Sequence, residues 1–586
     1  MGLTTGTDRR ARPGARLPWA LSLAVGAGCA VLGIVLTVRP FLSLGVLVVL
    51  LAVGLVAHGI AELLRRDAPW LRVVLALGWI AAGVLVLAVP GLTIAGLVLV
   101  VGIALVLSGA IGAVRALRGA GGDRWTALAL AVASVLLGVV ALAWPDVTVF
   151  VVAAVLGVRL VLLGGSLVID AIRRARAGGS TVEADDVGVP PRARARRRTG
   201  AVLALVGTAA LLLVSAQLSG VPRPDAFYDP PSAVPAEPGQ LLRSEPFERA
   251  VPEGATAWRM LYTTTAADGS PAVASGLVVV PGTGDDHPVV AWAHGTTGYA
   301  TGCAPSLLEE PFVAGAMPDL GATLAAGWAV VATDYAGLGT AGSQPYLIGE
   351  GEGRSVLDAI RAAQQLEAGL GTETVLWGHS QGGHAALWAG GLAAGYAPEL
   401  SIVGVAAMAP ATDLPALLDG ITGSPVGAVF GAFALAAYVE AYPEVAPGDY
   451  VRPGARIMVE SMQQRCLTDP STLVSLATSV VSDGRVWSQR PGDGALGERA
   501  AENVPTLPIG APLLLAQGGA DSLITEQAQD GFVAARCAEG QVIDYRTYPG
   551  LDHMGVVTGD SPLLPELRAW TADRFAGAPA EDGCSS

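Results

Sequence analysis

Seven stretches of this chain stay apolar for about the 20 residues that a helix needs to cross a bilayer. They run roughly 17–38, 41–64, 70–89, 92–114, 125–143, 147–169 and 200–219. A buried helix of a soluble protein does not stay apolar on every face for that length, seven times over. The first 219 residues are therefore expected to lie in a membrane. The first stretch lacks an A-x-A-like cleavage site and is followed by more spans, so it reads as a retained helix.

The basic residues orient these spans. The chain contains no lysine, and its arginines cluster in every second loop. Arg9, Arg10, Arg12 and Arg16 precede the first span; Arg65, Arg66 and Arg72 follow the second; Arg115, Arg118 and Arg124 follow the fourth. Arg173, Arg174, Arg176, Arg192, Arg194, Arg196, Arg197 and Arg198 follow the sixth, whereas the alternate loops hold only Arg39. Excess arginine marks the cytoplasmic side, which places the amino terminus inside the cell and everything after residue 219 outside it.

The first six spans repeat. When Pro40, Pro90 and Pro145 are aligned, Gly33, Gly83 and Gly138 stand seven residues before them. Gly59, Gly109 and Gly164 stand nineteen residues after. Each unit is expected to be a helical hairpin turning at its proline, with small residues allowing close helix approach. Over residues 26–176 this pattern resembles the HdeD-like short-repeat membrane family, which is associated with acid resistance in some bacteria. The resemblance implies no catalytic residue. Arg159 is the one charge near the middle of a span and is expected to face the helix bundle, where an ionisable group is a functional candidate. His58 in the second span reads as a packed or interfacial histidine.

Beyond the spans the chemistry changes sign. Residues 1–219 carry 20 Arg against 9 acids, and residues 220–586 carry 16 Arg against 41 acids. An acidic second half excludes nucleic acid as a partner, because phosphate binding needs clustered positive charge. The stretch "GVPRPDAFYDPPSAVPAEPG", residues 220–239, holds six prolines and opens a linker expected over 220–250. Such a chain is extended, at about 3.1 Å per residue, and either spaces a domain from the membrane or runs along that domain's surface.

From about 251 onward, β-branched runs alternate with helical patterns, at 276–280, 289–293, 328–333, 374–377, 402–408, 512–516 and 541–545. This alternation predicts a largely parallel sheet with helices on both faces. Residues 411–505 interrupt it and read as an inserted, mostly helical cap. The expected architecture is thus multi-domain: an all-α membrane region of seven helices, then an α/β domain with a helical cap.

Within the second domain, "VLWGHSQGGHAALWAG" puts Gly378-His379-Ser380-Gln381-Gly382 between a buried-strand pattern and a helix. This fits the G-x-S-x-G nucleophile elbow, where the bend lifts a serine hydroxyl above the sheet. A serine needs a base, and in this fold acid and histidine follow it in that order. His384 sits one helical turn beyond Ser380, poorly placed to take its proton, which leaves His553 in "YPGLDHMG". Asp521, in "LLLAQGGADSLI", follows a buried-strand pattern and is the expected acid, with Asp413 its rival. The oxyanion hole should use the backbone N–H of Gln381 and one from "AWAHGTTG", where Thr296 is the candidate. Which N–H of that loop points inward stays open. His294 and Asp334 are expected to be structural.

The segments "FYDPP…PGQLLRSE", "AWAHGTTG…CAPS", "TDYAGLG", "GHSQGGHAALWA", "GGADSLI" and "YPGLDHMG", in that order over about 226–576, resemble the secretory lipase family of α/β-hydrolases. The resemblance implies a Ser380–Asp521–His553 triad and hydrolysis of carboxylic esters. Its members are typically secreted and soluble, from which the membrane half departs. Apolar cap stretches such as "AVFGAFALAAYVEAY" suit an acyl chain, so an apolar ester such as a lipid is the expected partner.

Cys29 lies in the first span, and Cys303, Cys466, Cys537 and Cys584 fall in the exterior half, where disulfides persist. Four cysteines allow three pairings; Cys303–Cys466 would tie the oxyanion-side loop to the cap, and Cys537–Cys584 would clamp the carboxyl-terminal tail. No metal-ligand spacing or phosphate-binding loop is present, so no cofactor is expected. Acyl transfer to an acceptor other than water, and a stress-related membrane protein with a non-catalytic hydrolase-like domain, are the competing readings.

Overall fold

The computed structural model describes residues 19–38, 70–88, 90–118, 124–176, 192–218 and 220–586, except 283, 482–485, 580 and 586, with single positions between 49 and 63. The expected second span therefore lies mostly outside the described residues. So do Arg9, Arg10, Arg12, Arg16, Arg39, Pro40, His58, Gly59, Arg65 and Arg66. The chain forms two compact units, Met1–Leu212 and Leu213–Ser586.

The first unit is helical and apolar. Among the described residues, four helices are long and apolar enough to cross a membrane: Val98–Arg118, Arg124–Ala143, Pro145–Arg173 and Thr199–Leu218. The apolar runs Leu23–Val35 and Ala76–Ala88 are shorter. Pro90 and Pro145 each open a helix, where the missing N–H costs nothing.

The repeat glycines do mark close crossings, but not within the expected hairpins. A methyl on Gly33 would come within 2.5 Å of the Gly157 carbonyl, and one on Gly164 within 2.5 Å of the Gly26 carbonyl. Gly138 meets the Gly102 carbonyl, Gly109 that of Ala131, and Gly83 that of Ala52. Each first helix of a unit thus lies against the second helix of another unit, and the third unit closes back on the first. The reason is that the two helices of one unit turn their small faces to different neighbours. Arg159 also departs from expectation. Ala153, Gly157 and Gly164 form the buried face of its helix, and Arg159, two residues past Gly157, is exposed on the far side.

The second unit is built on one nine-stranded sheet: β1 (Leu241–Phe247), β2 (Ala255–Thr265), β3 (Pro271–Pro281), β4 (His287–Ala293), β5 (Ala329–Ala336), β6 (Leu370–His379), β7 (Ser401–Met408), β8 (Leu513–Gly518) and β9 (Asp544–Tyr548). Their spatial order is β1-β2-β3-β5-β4-β6-β7-β8-β9. From β5 to β9 all neighbours are parallel, while β1, β2 and β3 add an antiparallel edge. The sheet is therefore mixed rather than largely parallel. β1 lies inside the stretch expected as linker, because its run "LLRSEPF" breaks its apolar residues with Arg, Ser and Glu and is mostly exposed.

The central parallel strands are mostly buried on both faces, which explains their apolar runs, whereas edge strand β9 (DYRTY) is polar and partly exposed. Every residue of β5 and β8 is buried. Helices Gly349–Ala363 and Gln381–Tyr396 bury Leu357, Ile360 and Leu387 against Leu376 and Leu515. On the other face Trp570 of helix Leu563–Phe575 packs with Trp292 and Trp377, whose indole N–H donates to Thr571. Between β7 and β8 the chain leaves the sheet for helices that include Leu414–Gly420, Pro425–Ala441, Arg456–Gln463 and Thr472–Val481.

The proline-rich segment runs along this unit's surface. Phe227 and Tyr228 are buried, the Arg259 guanidinium lies 4.2 Å from the Phe227 ring centre, and Asp225 pairs with Arg259 at 2.9 Å. The disulfides are Cys303–Cys466 and Cys537–Cys584.

Candidate active site

Ser380 follows β6 and caps the helix Gln381–Tyr396 with φ 58° and ψ −119°. A positive φ is costly for a residue with a Cβ, and such strain concentrates at functional positions. The flanking glycines are required by space. A Cβ on Gly378 would overlap the carbonyl of Gly382, and one on Gly382 would overlap that of Ala293. These partners are rigid backbone. Gly382→Ala is expected to cost more than ~4 kcal/mol or abolish folding. In the same helix Gly395 has open space around it, so Gly395→Ala should instead stabilise by about 1 kcal/mol. Thermal unfolding of both variants checks the contrast.

Asp521 follows β8 and is buried. Its Oδ1 accepts from the N–H groups of Leu523 (2.8 Å) and Ile524 (2.9 Å), and its Oδ2 faces His553 Nδ1 at 2.7 Å. Burial acts to raise this carboxyl, but the His553 hydrogen bond and charge, with the two N–H donors, hold it below its ordinary value. The structure therefore brings Asp521 and His553 together. Asp413 is elsewhere: it is exposed and accepts from Ala416 N–H at the start of helix Leu414–Gly420. Among the described residues no hydrogen bond joins His553 to the Ser380 hydroxyl. Such bonds are often open in ligand-free enzymes and close in the substrate complex.

His379, the residue before Ser380, was not singled out by the sequence. Its Nε2–H donates to the carbonyl of His553 at 2.9 Å, and the two rings lie tilted by 42° with centres 4.7 Å apart. The neighbour of the serine thus holds the loop that carries the imidazole. Burial, joined by the charge of His553, lowers His379 to about 3. Burial likewise lowers His294 to about 4, against its contacts with the carbonyls of Gly295 and Asp334. Both histidines are neutral in the fold, whereas the unfolded chain protonates them below their ordinary 6.5. Stability should therefore fall as pH drops from 6.5 toward 4, by about 1.4 kcal/mol per pH unit for each histidine. Asp521 adds a further loss only below its ordinary 3.8. Unfolding midpoints across this range, with His294→Asn flattening the slope, test the assignment.

Thr296 and Gln381 both line the cavity beside Ser380. Among the described residues neither backbone N–H has an acceptor, which is the condition an oxyanion hole requires. The Thr296 hydroxyl bonds Tyr346 at 3.0 Å. The Gln381 side chain donates to Glu352 Oε1 at 2.7 Å, which also accepts from Leu347 N–H, while Oε2 faces His384 Nδ1 at 2.7 Å. His384 Nε2 lies 2.8 Å from the Asn503 carbonyl, so this ring is fully engaged away from the serine. Glu352 was legible only as an acidic residue in the first turn of an amphipathic helix; nothing marked it as fully buried. Asp334 accepts from Ser275 and Ser306, and burial pushes its carboxyl up.

Leu417, Leu418, Phe430 and Ala434 from the cap, with Leu523 and Ile524, complete the cavity walls. Its volume is about 20 Å³, room for roughly one water. The cap narrows the space beside Ser380, which itself stays partly exposed.

The chain is 30% identical over 394 residues to a probable inactive lipase of Mycobacterium tuberculosis, covering 62% of this chain and 84% of that protein. It is also 30% identical over 393 residues to a secreted triacylglycerol lipase of Malassezia globosa, covering 62% and 83%. The chain belongs to the secretory lipase family. The family's profile matches residues 316–583. A short repeat of unknown function (DUF308) matches 24–87, 74–140 and 129–183, in register with the HdeD-like repeat. Among solved structures, Candida antarctica lipase A matches with TM-score 0.53 at 21% identity, covering 62% of this chain and 88% of that one. A rice cell wall degrading esterase from Xanthomonas oryzae matches with TM-score 0.50 at 21% identity, covering 58% and 99%. Both show a shared fold. Membership in this family supports a carboxylic ester hydrolase, with an apolar helical region ahead of it.

Proposed function

We propose that the chain is a membrane-tethered serine esterase or lipase acting outside the cell. The observation that carries this reading is the Asp521–His553 bond beside a strained Ser380 and two unpaired N–H groups. In the mechanism, Ser380 Oγ attacks the ester carbonyl while His553 Nε2 takes its proton. Asp521 stabilises the imidazolium, and the N–H groups of Thr296 and Gln381 receive the oxyanion. His553 then protonates the leaving alcohol, and water, deprotonated by the same ring, releases the acid and frees Ser380. The apolar cavity walls and the triacylglycerol lipase relative favour a substrate with an apolar acyl chain.

The tether would comprise seven spans with the amino terminus inside. Supporting it, the first unit exposes large apolar side chains widely, Leu117, Leu162 and Leu203 each to 66% or more. Such a surface is unfavourable in water and suited to lipid. The two disulfides suit an oxidising exterior.

A fluorophosphonate probe followed by peptide mapping, alongside turnover of p-nitrophenyl esters of increasing chain length, tests the reading. Covalent label on Ser380 with ester turnover is the expected result. The similarity to a probable inactive lipase favours one specific alternative, a domain without catalysis. An unlabelled Ser380 and no turnover would establish that alternative. Transfer of the acyl group to added alcohols in preference to water would make the protein an acyltransferase.

A further inference from the structure

The cap helix Thr472–Val481 is amphipathic the wrong way round for a helix in water. Its inward residues are polar: Ser475, Thr478 and Ser479 are buried, and Ser475 Oγ accepts from the buried Arg465 guanidinium at 2.9 Å. Its outward residues are apolar: Leu473 is 66% and Val480 62% exposed, Ala477 is exposed and Leu476 is partly so. Positions 473, 476, 477 and 480 follow the i, i+3, i+4, i+7 spacing of one helix face. An apolar stripe of this kind turned outward marks an interaction surface.

The chain itself indicates what covers it. The last apolar helix, Thr199–Leu218, is long enough to cross a membrane, and two residues later the chain runs beside this helix's leading segment. A Cβ on Gly220 would lie 3.9 Å from Asp469 Oδ2, and Val221 packs on the cluster containing Cys303 and Cys466. The Thr472 hydroxyl in turn bonds the Cys466 carbonyl at 2.6 Å. Three residues, from Leu218 to Val221, reach about 10 Å when extended. The helix therefore begins close to the outer end of the span. No lysine or arginine occurs between residues 466 and 481, so headgroup charge is not what it would read.

We infer that the face Leu473–Leu476–Ala477–Val480 docks on the lipid of the chain's own bilayer by apolar insertion, indifferent to headgroup charge. A face of this size holds weakly alone, but a tether two residues away makes the contact intramolecular, where weak affinity suffices. The inference rests on Thr199–Leu218 spanning the membrane, and it would hold the cap where apolar esters reside.

The test uses the full chain, with Cys29→Ser, in phosphatidylcholine vesicles. Leu473→Cys or Val480→Cys carries an environment-sensitive nitrobenzoxadiazole label, and Val542→Cys, 44% exposed in the native chain, serves as the reference. Replacing part of the lipid by its brominated form should lower emission at 473 and 480 at least ~2-fold, the probe lying at the acyl boundary, and leave 542 unchanged. Equal quenching at all three positions, or quenching of 473 and 480 by aqueous iodide as readily as 542, overturns docking. So does label self-quenching at 473 that scales with protein-to-lipid ratio, which would give the face to a second copy. Resistance of the chain to alkaline carbonate, read on the same vesicles, separates failure of docking from failure of the span.

Discussion

Ser380→Ala should lower ester hydrolysis by at least ~10⁴-fold in kcat, about 5.5 kcal/mol of barrier, while leaving the melting temperature of the hydrolase unit near that of the parent. The size follows from the division of labour around the elbow. Removing Oγ would delete the proposed nucleophile but leave the Thr296 and Gln381 N–H groups and the apolar cavity in place, so a small residual rate over water should persist. The strained φ of 58° at position 380 is held by the rest of the elbow: the Ser380 N–H donates to Met408 and the carbonyl receives the N–H groups of His384 and Ala411. Alanine keeps all of these. Initial rates with a short soluble ester, which do not depend on any lipid surface, are the measurement. Full activity in this variant would remove Ser380 from the chemistry.

Asp521→Asn should be nearly as damaging, by about 10⁴-fold, and for a reason visible in the hydrogen bonds. Oδ1 accepts from two backbone N–H groups, of Leu523 and Ile524. In the asparagine variant the amide oxygen must occupy that position, which forces the NH₂ toward His553 Nδ1, where Oδ2 now stands at 2.7 Å. His553 Nδ1 must then become an acceptor and Nε2 must carry the hydrogen. In that tautomer Nε2 cannot take the serine proton. Because the defect is one of protonation, the residual rate should rise with pH as hydroxide or a deprotonated nucleophile substitutes for the base. Asp413→Asn, altering an exposed helix cap, should leave kcat within about twofold. Parity of the two variants would reject Asp521 as the acid.

Much of the proposed site could be read from order alone because each component announces itself chemically. Gly378 and Gly382 flank Ser380 since no side chain fits beside those carbonyls. Asp521 follows a buried strand whose unbroken apolar run stands out, and His553 is the histidine left after Ser380 once His384 is set aside. The residues that escaped notice act through burial instead of type. Glu352 looks like any acid in a helical first turn, and only the fold shows it enclosed by Gln381, His384 and Leu347. His379 is an ordinary occupant of the variable position in the elbow until its contact with the His553 carbonyl is seen. β1 and β2 were missed because an antiparallel edge carries polar residues. In the helical unit the glycine positions were legible, but a period in sequence says nothing about which copy a helix meets.

The Cys303–Cys466 link has a mechanical consequence. The Leu467 N–H bonds the Thr297 carbonyl at 2.7 Å beside it, so the cap is stitched to the strand-end loop that carries Thr296. Whatever motion admits an ester into a space of one water must pivot about that stitch. The displaced part is then the pair of helices Leu414–Gly420 and Pro425–Ala441, which bring Leu417, Leu418, Phe430 and Ala434 over the serine. An opening that kept this stitch intact would move those two helices past a loop that stays in place.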